Sequence, residues 1–143
     1  MSEFIECKTK FKDADALVAA LIMMGWKEGE IEVHKTPQNL YGYQGDKRSQ
    51  KAEIIIRRKF VGGSSNDMGF AKDKDGCYEA IVSAFDRGSG GLHGSKTHGY
   101  NDKWLKELNV NYAEAKVTRD AKRKGYEVKK TVQKGKIILS LYK

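Results

Sequence analysis

Proline is nearly missing from this chain: Pro37 is the only one, so no Pro-rich linker divides it. Cysteine is as scarce. Cys7 and Cys77 are the only two, and the pair reads as free thiols in a reducing, cytoplasmic compartment, with a single disulfide between them as the alternative. Long apolar runs are lacking too. The longest, Ala14 to Met24, is about half of a bilayer span and carries Asp15. The opening Met1-Ser2-Glu3-Phe4-Ile5-Glu6 has neither the basic region nor the apolar run of a signal peptide. A membrane partner is therefore not expected. There is also no Gly-x-x-x-x-Gly-Lys-Ser/Thr run to cradle a triphosphate, and no Ser/His/Asp or Cys/His arrangement for nucleophilic catalysis. The 143 residues suffice for one domain with a core and fall short of two.

Acid is scarce where base is plentiful. Residues 101–143 hold 12 Lys and Arg against 5 Asp and Glu, a balance of 12 − 5 = +7, whereas the first hundred balance at 15 − 14 = +1. Such asymmetry raises a nucleic-acid reading.

Periodicity gives a strand over Glu3–Lys10, then a helix capped by Asp13 with Ala14, Leu17, Val18, Leu21 and Ile22 on one face. Gly25 ends that helix. Trp26 follows, then a strand through Ile31 and Val33, a polar turn region from Pro37 to Gln50, and a strand over Lys51–Val61. On that strand Ala52, Ile54 and Ile56 are expected to face one way, and Ile55 and Arg57 the other. A hairpin of Met68–Ala71 and Cys77–Val82 turns at Lys74-Asp75-Gly76. After a Gly-rich stretch, Asn101 or Asp102 caps a long helix carrying Leu105, Leu108, Tyr112 and Ala115. Gly125 closes it, and a terminal hairpin of Tyr126–Val132 and Lys136–Tyr142 turns at Lys134-Gly135.

Each half thus reads strand, helix, Gly plus aromatic, strand, strand, and a βαββ unit cannot bury both faces alone. The expected fold is α+β: a single domain over 1–143 with pseudo-repeat halves at about 3–61 and 68–143. One antiparallel sheet of about six to eight strands carries both main helices on one face, and segment 87–100 is a flexible connector.

Three segments are candidates for function. Tyr41, Tyr43, Gln44, Lys47 and Arg48 surround Gly42 and Gly45, a sharply turning backbone that displays aromatic faces and hydrogen-bonding tips. They form either a partner-binding turn or the cover of one end of the core. His93 and His98 lie five apart in the Gly/Ser segment. Two histidines make an incomplete metal set, and the composition fits a surface loop as well. No cofactor is expected. The third candidate is basic: Arg119, Lys122, Arg123 and Lys124 in the last turns of the long helix, with Lys129, Lys130, Lys134 and Lys136 on the terminal hairpin. Cations complement a helix C-terminus and lysines discourage edge pairing. Neither effect accounts for the lack of balancing acids.

The order of motifs carries a family resemblance. Met1–Lys10, the helix ending at Gly25, Tyr41-Gly42-Tyr43-Gln44-Gly45, the Ala52–Arg57 strand, Asp67-Met68-Gly69-Phe70, Tyr78-Glu79-Ala80-Ile81-Val82, Asn111-Tyr112-Ala113 and Lys124-Gly125-Tyr126 follow one another. Together they resemble the domain-of-unknown-function family typified by hypothetical chloroplast reading frame thirty-five. That family occurs in algal plastids, cyanobacteria, other bacteria and some phages. The chain departs from it at Ser83-Ala84-Phe85-Asp86, where the family has a Trp-rich turn, and in the inserted Gly/Ser/His segment. The resemblance implies fold and single-domain status and supplies no catalytic residues. It further implies an accessory role beside an ATPase of the AAA class. The functional expectation is a non-enzymatic accessory protein that binds a protein partner, with RNA or DNA binding by the basic C-terminal helix and hairpin as the alternative.

Overall fold

Among the described residues seven strands divide between two sheets, joined in sequence by a long helix. The computed structural model describes residues 3–88, 92–93 and 99–143. Strands β1 (Phe4–Cys7), β2 (Glu32–Tyr41), β3 (Lys47–Ile56), β4 (Met68–Lys72) and β5 (Tyr78–Ser83) form an antiparallel sheet in the order β1-β5-β4-β3-β2. Strands β6 (Glu127–Gln133) and β7 (Lys136–Tyr142) form a separate two-stranded ribbon. The helices are α1 (Ala14–Met23), the short α2 (Arg58–Val61) and α3 (Ala84–Gly88), and the long α4 (Asp102–Arg123). The class is α+β, as expected. The two halves do not share one sheet, however: the second hairpin of the second half stands apart.

Local chemistry places the two main helices. Asp13 Oδ1 accepts from Ala16 N–H at 3.1 Å and Asn101 Oδ1 from Trp104 N–H at 3.0 Å, so each helix begins with a side-chain cap. Both end at a glycine in the left-handed region, Gly25 (φ 130°) and Gly125 (φ 85°). Leu17 and Leu21 from α1, with Trp104 and Leu108 from α4, pack on the sheet face formed by Ile54, Ile56, Met68, Phe70, Ala80 and Val82. The Tyr112 hydroxyl accepts from Lys12 and Asp13 N–H at 3.1 and 3.0 Å, and its ring meets Phe11 at 4.6 Å, tying α4 to the start of α1.

The opposite face buries a smaller cluster of Leu40, Ala52, Ile55 and Ile81. Ala52 therefore joins Ile55, not Ile54 and Ile56. The β2–β3 ladder shifts register between Val33 and Gln38, and an irregularity of that kind changes which side chains share a face. The same ladder revises the polar stretch from Pro37 to Gln50. Most of it is strand, and only Gly42–Asp46 turns. β3 also stops at Ile56, because the Arg57 backbone leads into α2.

Candidate functional site

The end of the β2–β3 hairpin is clasped from behind. Asp67 Oδ2 accepts from Tyr41 N–H at 2.8 Å and from Arg57 Nη1 at 2.9 Å, while Oδ1 accepts from Arg58 N–H at 2.7 Å. Asp67 N–H in turn donates to the Tyr41 carbonyl at 2.9 Å. Asn66 Oδ1 accepts from Tyr43 N–H at 2.8 Å, and Arg58 donates to the Tyr43 carbonyl at 3.0 Å. Arg57 also forks onto Glu32 at 2.9 and 3.0 Å, the planar geometry that suits guanidinium to carboxylate. Burial pushes the Glu32 carboxyl up, and the hydrogen bonds and charges of Arg57 and His34 more than reverse it, holding it below its ordinary range.

This clasp explains the two most distinctive motifs. Gly42 has no room for a Cβ, which would meet Arg48 and Asp46, and Gly45 turns at φ 79°. Gly69 abuts the Ala52 Cβ and Leu40. Tyr41 and Tyr43 are half-buried, and the Arg57 guanidinium lies 5.8 Å from the Tyr41 ring. Arg48 is half-buried, bonded to Asp46 and stacked over Phe4 at 5.5 Å. Of the five turn candidates, Gln44 and Lys47 are exposed. Tyr41, Gly45, Arg57, Arg58 and Lys59 border a cleft of about 470 Å³ beside the clasp.

His93 serves the core. Its ring meets Trp26 edge-on at 4.9 Å and covers Gly25. Trp104 Nε1 donates to its carbonyl at 2.8 Å, and its N–H donates to the Tyr100 hydroxyl at 3.2 Å. Tyr100 passes the chain on to the Val61 carbonyl at 2.6 Å, and burial raises its phenol to about 12. His98 lies outside the described residues. Among the described residues no three His, Cys, Asp or Glu side chains are grouped to hold a metal ion, and both cysteines are free thiols.

The basic candidates separate into two sets. Arg119 pairs with Asp15 at 3.1 Å and Lys130 with Glu114 at 2.8 Å. Lys122, Arg123, Lys124, Lys129, Lys134 and Lys136 are exposed and make no ion pair among the described residues. The ribbon's register divides them further. Val128 faces Leu141, Lys130 faces Leu139 and Val132 faces Ile137, so these six share one side, with Lys129 and Lys136 on the other.

That apolar side is the feature the periodicity did not bring out. The Lys130–Glu114 pair turns it toward α4, where Val110, Glu114, Val117 and Ala121 recur at helical spacing. Contact with the helix covers it only in part: Val132 is 64% exposed and Leu141 46%, and Ile137, Val110 and Val117 are exposed as well. Tyr126, Leu141, Val117 and Ala121 border a shallow groove of about 440 Å³. On the lysine side, Ile138 and Tyr142 are also exposed. The signal in the sequence was the uncharged run Ile137–Tyr142, apolar at odd and even positions alike, which a fully solvated ribbon has no use for.

Among the described residues no helix is long and apolar enough to cross a membrane. No curated protein and no solved structure matches the chain. The model of the family described as protein of unknown function DUF1257 matches residues 27–139. That span covers well over half of the chain, from the turn before β2 into β7, and so includes the Asp67 clasp and most of the ribbon. The chain belongs to the DUF1257 family.

Proposed function

We infer that this protein is a non-enzymatic accessory module that binds a protein partner, and that it does so with the surface built by the ribbon and the outer stripe of α4. One observation carries the reading. Val132, Ile137 and Leu141 are exposed on the side of the ribbon that turns toward α4, and Val110 and Val117 are exposed on the helix stripe beside it. Scattered surface apolar residues need no explanation, whereas a contiguous set rimmed by charge marks an interaction surface. A lone two-stranded ribbon is also marginal in water and gains stability when another surface covers it. The turn at Tyr41–Arg48 fits the role less well, since most of its polar groups are already engaged within the chain. An ATPase of the AAA class, implied by the family resemblance, is the partner class to test first.

Affinity capture from cells expressing the gene tests this reading. The wild-type chain is expected to retain a partner that the double variant Ile137→Lys/Leu141→Lys loses, with the two chains equally folded by circular dichroism. Equal capture by both contradicts it.

RNA or DNA binding is the second reading, supported by the six exposed cations that make no ion pair among the described residues. It predicts retention in a gel shift that weakens steeply with salt as counterions are released. Absence of retention at low salt removes it.

A further inference from the structure

Strand β7 presents an open edge, and its register says which backbone groups line it. The turn residues Lys134 (φ 51°) and Gly135 (φ 75°) are both left-handed, and Gln133 pairs directly with Lys136. In a two-residue hairpin of this type the flanking pair exchanges both hydrogen bonds, and bonded pairs then alternate along the ladder. Lys136, Ile138, Ser140 and Tyr142 therefore turn their backbone groups inward to β6. Ile137, Leu139 and Leu141 turn theirs outward. Among the described residues no strand pairs with that outer edge.

The edge lacks the devices that protect an exposed strand. From Ile137 to Tyr142 it has no charge, no proline and no bulge, the opposite of β2, which carries Pro37 and a shifted register. Charge is concentrated beside the edge instead. Residues 127–142 hold four lysines against one acid, Glu127. Lys129 and Lys136 share the side of Ile138, Ser140 and Tyr142.

We propose that the edge of β7 accepts an extended acidic segment of the partner as a third strand, with apolar and acidic residues alternating. This rests on the protein-binding reading above and names its ligand. Alternation follows from the pleat. Every second side chain of the added strand falls beside Ile137, Leu139 and Leu141 on the apolar side. The intervening ones fall beside Lys136 and one strand further from Lys129, within reach of a long side chain. Main-chain bonds to the outward groups of Ile137, Leu139 and Leu141 supply affinity, and the lysines select acid. A second copy of this chain is a poorer occupant, because pairing β7 with itself brings the lysines of both ribbons into one sheet without added acid.

The test uses the full-length chain and a fluorescent peptide of alternating glutamate and valine, followed by anisotropy, with a lysine-for-glutamate peptide as the counterpart. The glutamate peptide is expected to bind and the lysine peptide not, with affinity falling about tenfold when salt is raised from low to high. Lys129→Glu/Lys136→Glu, at two exposed positions, is expected to reverse the preference between the peptides. Leu139→Pro removes an outward donor while sparing the ladder to β6, and is expected to weaken binding about tenfold or more. Binding indifferent to both variants overturns the proposal. So does a dimer in sedimentation that Leu139→Pro converts to monomer, or displacement of the peptide by single-stranded RNA. If the peptide fails to bind while Ile137→Lys/Leu141→Lys still abolishes partner capture, the acidic strand is wrong and the protein-binding surface stands. If capture is indifferent to that variant, the surface itself is wrong.

Discussion

The backbone of Gly25 lies directly beneath the imidazole of His93: a Cβ built on Gly25 overlaps Nδ1 and comes within 2.9 Å of Cε1. A glycine that ends α1 by its left-handed geometry thus also provides the seat for a residue of the Gly/Ser/His segment. Gly25→Ala is expected to cost about 2–3 kcal/mol, from positive φ and overpacking together. Adding His93→Ala should return about 1 kcal/mol of that, since it removes the overlap and leaves the backbone strain. Urea unfolding of the two single variants and the double variant measures the coupling, and strict additivity contradicts the contact.

Gly69 makes a similar demand within the sheet. Its missing Cβ would stand 2.7 Å from the Ala52 Cβ and 3.0 Å from Leu40, on a face where β3 and β4 leave no slack. Gly69→Ala is expected to destabilise by about 1–3 kcal/mol. Gly63→Ala, at a position with nothing within 4 Å, is expected to change stability little. Thermal melts of the pair check the contrast.

Asp67 holds three donors at once and is almost fully buried. Asp67→Ala strands the Tyr41 and Arg58 N–H groups and leaves Arg57 with only Glu32 and the Asn39 carbonyl, so a loss of about 3–5 kcal/mol is expected. Asp67→Asn keeps the oxygen on one side and should lose less. The urea midpoint should fall with an unchanged slope.

Acid should loosen the Arg57 network and the start of α1. Glu32 is held below its ordinary 4.5 against a burial effect of opposite sign, and Asp13 below its ordinary 3.8, again against burial, by its bond from Ala16 N–H and by Lys116. A carboxyl depressed in the folded state stabilises above its unfolded value, and that contribution is lost as pH falls through the folded one. Stability should therefore be level above about pH 5 and decline below it. Glu32→Gln should flatten part of the decline in a series of urea midpoints against pH. A profile unchanged by that substitution contradicts the assignment.

Helix ends were readable from sequence because their causes are local. Asp13, Asn101, Gly25 and Gly125 act on backbone within a turn of themselves. The Asp75-Gly76 and Lys134-Gly135 turns were legible for the same reason. The β2–β3 hairpin was not, because its outer half is polar and carries Pro37, and what fixes it is Asp67, 26 residues beyond Tyr41. Periodicity identifies β6 and β7, but the expectation that they join one shared sheet fails. Their separation depends on how α4 delivers the chain past the main sheet, which no local pattern records. At the candidate sites the residue types were visible early, but the pairing of Arg119 with Asp15 and of Lys130 with Glu114 reduced the basic patch. In sequence the ribbon beside it stands out by its lysines, and the apolar side between them is not apparent.

Hydrogen–deuterium exchange on the full-length chain, alone and bound to its captured partner, tests the central claim most directly. Exchange should slow over residues 136–142, with the amides of Ile137, Leu139 and Leu141 moving from fast to protected, while residues 41–48 are unchanged. Protection confined to 41–48, with the ribbon exchanging as it does in the free chain, would contradict the account.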